Sequence, residues 1–163
     1  MGTTTSIAIR DRVIAVIGVL TPTSPLNAAF HAYRNESADF VSFSEDNPDS
    51  ALRRFQVRES GFRPAWLVSN TDVAEELTTL TVLVAYPQNS RAGKANTMDR
   101  DRIMYEDSQS IEQAIGLNGA ANFTSAFGAD ASVRVSQVDA RISRDACEYL
   151  SITVTYGYYR AMP

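Results

Sequence analysis

Side chains that could carry out chemistry are scarce in this 163-residue chain. His31 is the only histidine and Cys147 is the only cysteine. A nucleophilic triad would need His31 as its base, with Cys147 or a serine as the nucleophile. No serine stands in a Gly-x-Ser-x-Gly nucleophile elbow. We therefore interpret His31 as a structural residue and Cys147 as a small buried hydrophobe, and we predict that the protein is not an enzyme.

Carboxylates gather in two places where they could bind a hard cation. The first group is Asp99, Asp101, Glu106 and Asp107, and the second is Glu45, Asp46 and Asp49. Neither group has the spacing of a calcium loop, and Arg100 and Arg102 interleave with the first. This interleaving favours local ion pairs over a metal site. We therefore expect neither a metal nor a cofactor.

Net charge bears on the partners that the chain could bind. The formal charge is −4, whereas a dedicated nucleic-acid binder needs clustered cations. Tyr156, Tyr158 and Tyr159 could stack on bases, but only Arg160 accompanies them. Core or interface packing is therefore the better interpretation of these tyrosines. Lys94 is the only lysine, and a preference for arginine is typical of interfaces, although codon bias would explain it equally well.

Two segments alternate apolar and polar residues with the period of a β-strand. They run over Leu77–Tyr86 and Tyr149–Tyr159. In the second segment, Leu150, Ile152 and Val154 alternate with threonines and a serine. This pattern predicts a sheet that has one face in a core and the other in water.

One helix is predicted before the first of these strands in the sequence, and a second helix after it. Ser6–Leu20 carries apolar residues at helical spacing, although its β-branched content leaves a strand as the alternative. A second helix begins at Thr97 or Asp99 and runs to about Leu117, with acidic residues in its first turns. Its predicted apolar stripe consists of Met104, Ile111 and Ile115.

The other segments are less regular. We predict short strands at 39–43, 53–58 and 65–69, a turn at Gly61–Pro64, and a cap with one helical turn at Asn70–Glu76. Ser132–Ile142 is predicted to be a strand whose apolar register changes through a bulge. Residues 119–130 are predicted to form a loop.

The fold class that follows is α+β in a single domain, residues 1–163. We expect a mainly antiparallel sheet of about four to five strands, on which an N-terminal helix and the helix at about 99–117 pack. A flexible loop is expected at about 87–97. No apolar run reaches the length that spans a bilayer, and no secretory signal is expected at the start.

Four motifs stand in a particular order along the chain. They are the strand Leu80–Tyr86 followed by Pro87, a polar loop with Arg91 and Lys94, a helix through Met104, Asp107 and Ile111, and the strand Ile152–Tyr156. With the N-terminal helix, this order resembles the tail terminator (tail completion) proteins of tailed bacteriophages.

The resemblance implies a virion protein that is made in the host cytoplasm and has no catalytic residues. It implies a hexameric ring that caps the tail tube and joins the tail to the head connector. The partners would then be other copies of the chain, the tail tube protein and a connector or neck protein, with DNA only passing through the lumen. The candidate interface residues are Arg91, Lys94, Arg100, Arg102, Tyr156, Tyr158 and Arg160.

Other functions stay open on the sequence. One alternative is a different neck or head-completion protein, which would also form a ring. A second is a small α+β enzyme or ligand-binding domain with a site around His31. A third is a sheet-based binder of single-stranded nucleic acid.

Overall fold

The computed structural model describes residues 6–22, 29–32, 51–67, 73–88, 90, 97–117, 131–144 and 147–161. The helices are α1 (Ser6–Gly18) and α2 (Thr97–Glu112), and a π-helical turn (Gln113–Leu117) continues α2. The strands are β1 (His31–Ala32), β2 (Arg54–Leu67), β3 (Val73–Pro87), β4 (Ala131–Arg144) and β5 (Cys147–Ala161). Their order across the sheet is β1-β2-β3-β5-β4. β1 joins β2 in parallel, and the other neighbours are antiparallel. The predicted α+β class, antiparallel sheet and two helices are confirmed.

The two alternating segments of the sequence lie side by side at the centre of the sheet. β3 pairs with β5 from Val73 opposite Ala161 to Pro87 opposite Cys147. Their apolar positions share one buried face, whose central residues are Leu80, Val82, Val84, Leu150, Ile152 and Val154. The threonines point to the other face and are half-buried. The period-2 pattern thus predicted correctly which side chains enter the core.

Both helices pack on that buried face of the sheet. α1 contributes Ile9, Val13 and Ile17 to the core. These residues recur every four positions, close to the 3.6-residue period of a helix, and this amphipathic spacing outweighs the β-branched content of the segment. α2 contributes the predicted stripe of Met104, Ile111 and Ile115, together with Ile103. The described elements therefore form two layers, helices on one side and sheet on the other.

The predicted turn at Gly61–Pro64 is wrong, because β2 continues through it to Leu67. The register of β2 against β3 shifts between Glu59 and Gly61 and again between Pro64 and Leu67. Glycine and proline are tolerated in a strand at such irregularities. The two short strands predicted on either side of this turn are therefore parts of one long strand.

Three further predictions concern strands and loops. Val73–Glu76, predicted as part of a helical turn, instead opens β3. The predicted register change in β4 is confirmed, since its pairing with β5 shifts between Val135 and Gln137 and between Asp139 and Ile142. The predicted strand at 39–43 and the predicted loop at 119–130 lie outside the described residues.

Candidate functional site

A buried cluster of polar side chains lies where β2 begins and β3 ends, beneath α2. Arg53 donates from Nε to Oδ2 of Asp107 at 2.7 Å and from Nη2 to Oδ1 at 3.1 Å. Tyr86 donates from its hydroxyl to the same Oδ2 at 2.6 Å. Each of the three residues is about 1 % exposed. The guanidinium therefore binds the carboxylate in a bidentate, charge-assisted arrangement that the tyrosine completes.

The backbone around Arg53 holds its side chain in place. Arg53 directly precedes β2 and has φ of 57°, a left-handed conformation that is unfavourable for a residue with a Cβ. Its N–H donates to the carbonyl of Ala85 at 2.9 Å, which fastens the turn to β3. The guanidinium carbon lies 5.7 Å from the ring centre of Phe30, within the range of a cation–π contact.

The other two members come from regular elements. Tyr86 is the last core-facing residue of β3, one position before Pro87 ends the strand. Asp107 lies on the buried face of α2, between Met104 and Ile111. A carboxylate in such an apolar stripe must be paired to be stable, and Arg53 supplies the pairing charge.

Burial governs the ionisation of the cluster. It raises the pKa of Tyr86 well above the usual value, and the neighbouring Asp107 charge adds to the effect. Tyr86 therefore stays a neutral donor. Burial also raises the pKa of Asp107, while the hydrogen bonds and charge of Arg53 oppose that rise. With so little solvent access, these groups cannot contact a substrate, and what the arrangement can do is fix α2 on the sheet.

A weaker contact joins the start of α2 to the start of β5. Nε of Arg100 lies 3.5 Å from Oε2 of Glu148, and both side chains are largely buried. Cys147, the residue before Glu148, is fully buried, and burial raises the pKa of its thiol to about 11. A protonated, inaccessible thiol is a poor nucleophile, in agreement with the interpretation of Cys147 as a buried hydrophobe.

A tight turn follows β3. The N–H of Ser90 donates to the carbonyl of Pro87 at 3.0 Å, and its hydroxyl donates to the same oxygen. Ser90 is fully buried. This turn begins the segment that was predicted to be a flexible loop. Arg91 and Lys94, the interface candidates of that loop, lie outside the described residues.

The remaining interface candidates have different environments. Arg100 is partly buried against Glu148, whereas Arg102 is exposed and pairs with Glu106 at 2.7 Å. Tyr156 is fully buried in the core, so the folded subunit presents none of its side chain to a partner. Tyr158 and Arg160 lie in β5, where the backbone register sets them opposite Glu76 and Ala74.

The four carboxylates of the first acidic group do not come together in one site. Asp107 pairs with Arg53 and Glu106 with Arg102, while Asp99 and Asp101 are exposed. Within the described ranges, no three histidine, cysteine or acidic side chains are grouped closely enough to share a metal ion.

The second acidic group, Glu45, Asp46 and Asp49, lies outside the described residues. His31 lies in β1, where its backbone pairs with Arg54.

None of the helices in the described part of the chain has the length and hydropathy needed to cross a bilayer.

Sequence reasoning did not single out Arg53, which carries the cluster. Its two sequence signals, a pair of arginines and the start of a strand, are common features and did not distinguish it.

The sequence matches no family model, and the search of curated proteins finds no significant match.

Proposed function

We propose that the protein is a structural virion component, a tail terminator that caps the tail tube of a tailed bacteriophage and joins the tail to the head connector. One observation carries the proposal. The motifs that give the resemblance are distant in sequence, yet the Tyr-Pro strand end and the Asp107 helix meet through the hydrogen bond between Tyr86 and Asp107. Two of the motifs on which the resemblance rests therefore support one another in three dimensions.

We infer that the protein acts by assembly and not by catalysis. The buried cluster of Arg53, Tyr86 and Asp107 is closed to solvent, which suits a rigid building block better than an active site. The proposal takes the whole chain as one domain, with a sheet of four to five strands and a loop at about 87–97 available for contacts.

The proposed partners follow from that role. Copies of the chain would form a ring, a hexamer by the resemblance, between the tail tube protein and a connector or neck protein. DNA would pass through the lumen without being held, and the net charge of −4 favours that, because a basic lumen would bind the phosphates. The protein would be made in the host cytoplasm and located in the virion.

The test is assembly. The purified chain would be measured by light scattering, alone and with isolated tail tubes, and the particles would be viewed by electron microscopy. We expect rings and density at the tube end that faces the head. A chain that neither forms rings nor binds tubes would contradict the proposal. Rings that bind the connector but not the tube would favour another neck component.

A further inference from the structure

The face of the sheet turned away from both helices is a regular array of threonines with a cationic edge. Thr79 lies opposite Thr155 and Thr81 lies opposite Thr153 across the β3–β5 pair, and all four are half-buried. Arg58 of β2 lies opposite Thr81 and is exposed. We call this set the threonine face: Arg54, Arg58, Thr79, Thr81, Thr153 and Thr155.

Charge distinguishes the threonine face from the rest of the chain. Arg54 and Arg58 lie four positions apart on the same side of β2. Glu59 and Glu148 are at positions of the opposite parity, whereas the register sets Asp139 of β4 opposite Ser151, beside the threonine rows. The six residues of the threonine face themselves carry two positive charges, although the chain has a net charge of −4.

The opposite side of the subunit has the complementary charge. On α2, Asp99, Asp101 and Glu112 are exposed, while Arg102 and Glu106 form an ion pair. Tyr105 lies between them and is 62 % exposed. We call this set the acidic helix face: Asp99, Asp101, Tyr105 and Glu112.

We propose that copies of the chain associate head to tail, with the acidic helix face of one copy on the threonine face of the next; this rests on the proposed function as a ring component. The opposite charges bring the two faces together and set their orientation. The flat rows of threonine methyls and hydroxyls offer a platform for Tyr105, and tyrosine is enriched among residues that dominate binding energy.

The geometry of the subunit determines what this contact builds. The two faces lie on opposite sides of a two-layer structure, because both helices pack on the core face of the sheet. A contact between different surfaces is heterologous: it builds a ring when the rotation between successive copies closes, as the proposed function requires, and an open filament when it does not.

Two charge-reversal variants test this contact. The double variant Arg54→Glu with Arg58→Glu reverses the threonine face, and the double variant Asp101→Arg with Glu112→Arg reverses the acidic helix face. Alone, each variant would set like charges against each other, and we expect its self-association constant to fall about 100-fold. An equimolar mixture restores opposite charges at every contact of an even-numbered ring, so assembly should return. Asp11→Arg, at an exposed position of α1, is the matched control and should assemble like the unmodified chain.

Mass in solution by light scattering is the readout, and thermal unfolding of each variant verifies that it is folded. Variants that assemble like the unmodified chain, or a mixture that does not assemble, would overturn the contact. An unmodified chain that stays monomeric alone and on tail tubes would also overturn it. If rings form on tubes while the variants have no effect, only the contact is wrong. If assembly follows the charges but tubes are not bound, the contact stands and the terminator function fails.

Discussion

Arg53 illustrates how much a single residue can depend on its surroundings. Its side chain pairs with Asp107, its backbone binds Ala85, and its guanidinium lies over Phe30. Desolvating two charges costs several kcal/mol, and only good geometry offsets that cost. The pair is therefore better regarded as a device that specifies one position of α2 than as a large source of stability.

Replacing Arg53 with methionine should lower the free energy of unfolding by about 3–5 kcal/mol at neutral pH, because the Asp107 carboxylate would be left buried and unpaired. Chemical denaturation measures this change. The variant Arg53→Met with Asp107→Leu and Tyr86→Phe serves as the control, because it removes the charges and the hydroxyl together. It should recover much of the loss, and no recovery would contradict this account.

The same variant gives a pH prediction whose sign follows from burial. The pKa of Asp107 in the folded chain is already raised, and loss of Arg53 would raise it further. A folded state that binds the proton more tightly than the unfolded chain gains stability as pH falls towards that pKa. The loss of unfolding free energy in Arg53→Met, measured by denaturation, should therefore become smaller on mild acidification. If this loss instead became larger at lower pH, Asp107 would not be the group that causes the pH dependence.

Cys147 gives a second prediction at this scale. Because the folded pKa is about 11, the thiol should be unreactive towards a thiol reagent at mildly alkaline pH and react once the chain is unfolded. Because the unfolded thiol ionises first, the stability of the folded chain is unchanged below the usual thiol pKa and falls as pH rises from there towards the folded pKa of about 11. Gln88→Cys, at an exposed position, is the reactive control. Fast labelling of folded Cys147 would contradict its burial.

At the scale of the element, α2 is attached to the sheet by apolar packing and by two polar contacts of different strength. The contact through Asp107 is buried and bidentate, whereas the one from Arg100 to Glu148 is longer and less enclosed. At 3.5 Å the single Arg100–Glu148 contact is longer than the bidentate contact, so we expect it to contribute less to the attachment of α2.

This difference predicts unequal effects on the opening of α2. Tyr86→Phe removes the hydroxyl that donates to Asp107 and should cost about 1–3 kcal/mol, with faster amide hydrogen exchange in α2. Arg100→Met should change exchange in α2 much less. Equal effects of the two substitutions would show that the Asp107 contact does not hold the helix.

The sequence predicted some elements well because their signal is local. Alternation of threonine with valine indicated the buried face of β3, and the shift of apolar positions indicated the bulges of β4. Gly61 and Pro64 gave a false turn signal, because pairing with β3 keeps β2 continuous through both residues. The buried cluster had no local signal at all, since Arg53 lies 54 positions from Asp107 and Tyr86 lies 21 positions from it.

At the scale of the whole molecule, the proposed head-to-tail contact depends on opposite charges at exposed surfaces. Salt screens such charges, with a Debye length of about 10 Å at 0.1 M. Raising the ionic strength should therefore shift assemblies towards monomers, as measured by light scattering across a salt series. A contact dominated by apolar burial would instead hold or strengthen in salt.

The central place of β5 also has a consequence for how the chain folds. β5 follows β3 and β4 in sequence, yet it lies between them in the sheet. While the ribosome is making the chain, β2 and β3 can pair early as neighbours, but β4 reaches the rest of the sheet only through β5. β4 must therefore wait as an unpaired strand, and unpaired strands are prone to aggregation. Released chains that are truncated before Cys147 should accordingly be sensitive to protease across β4.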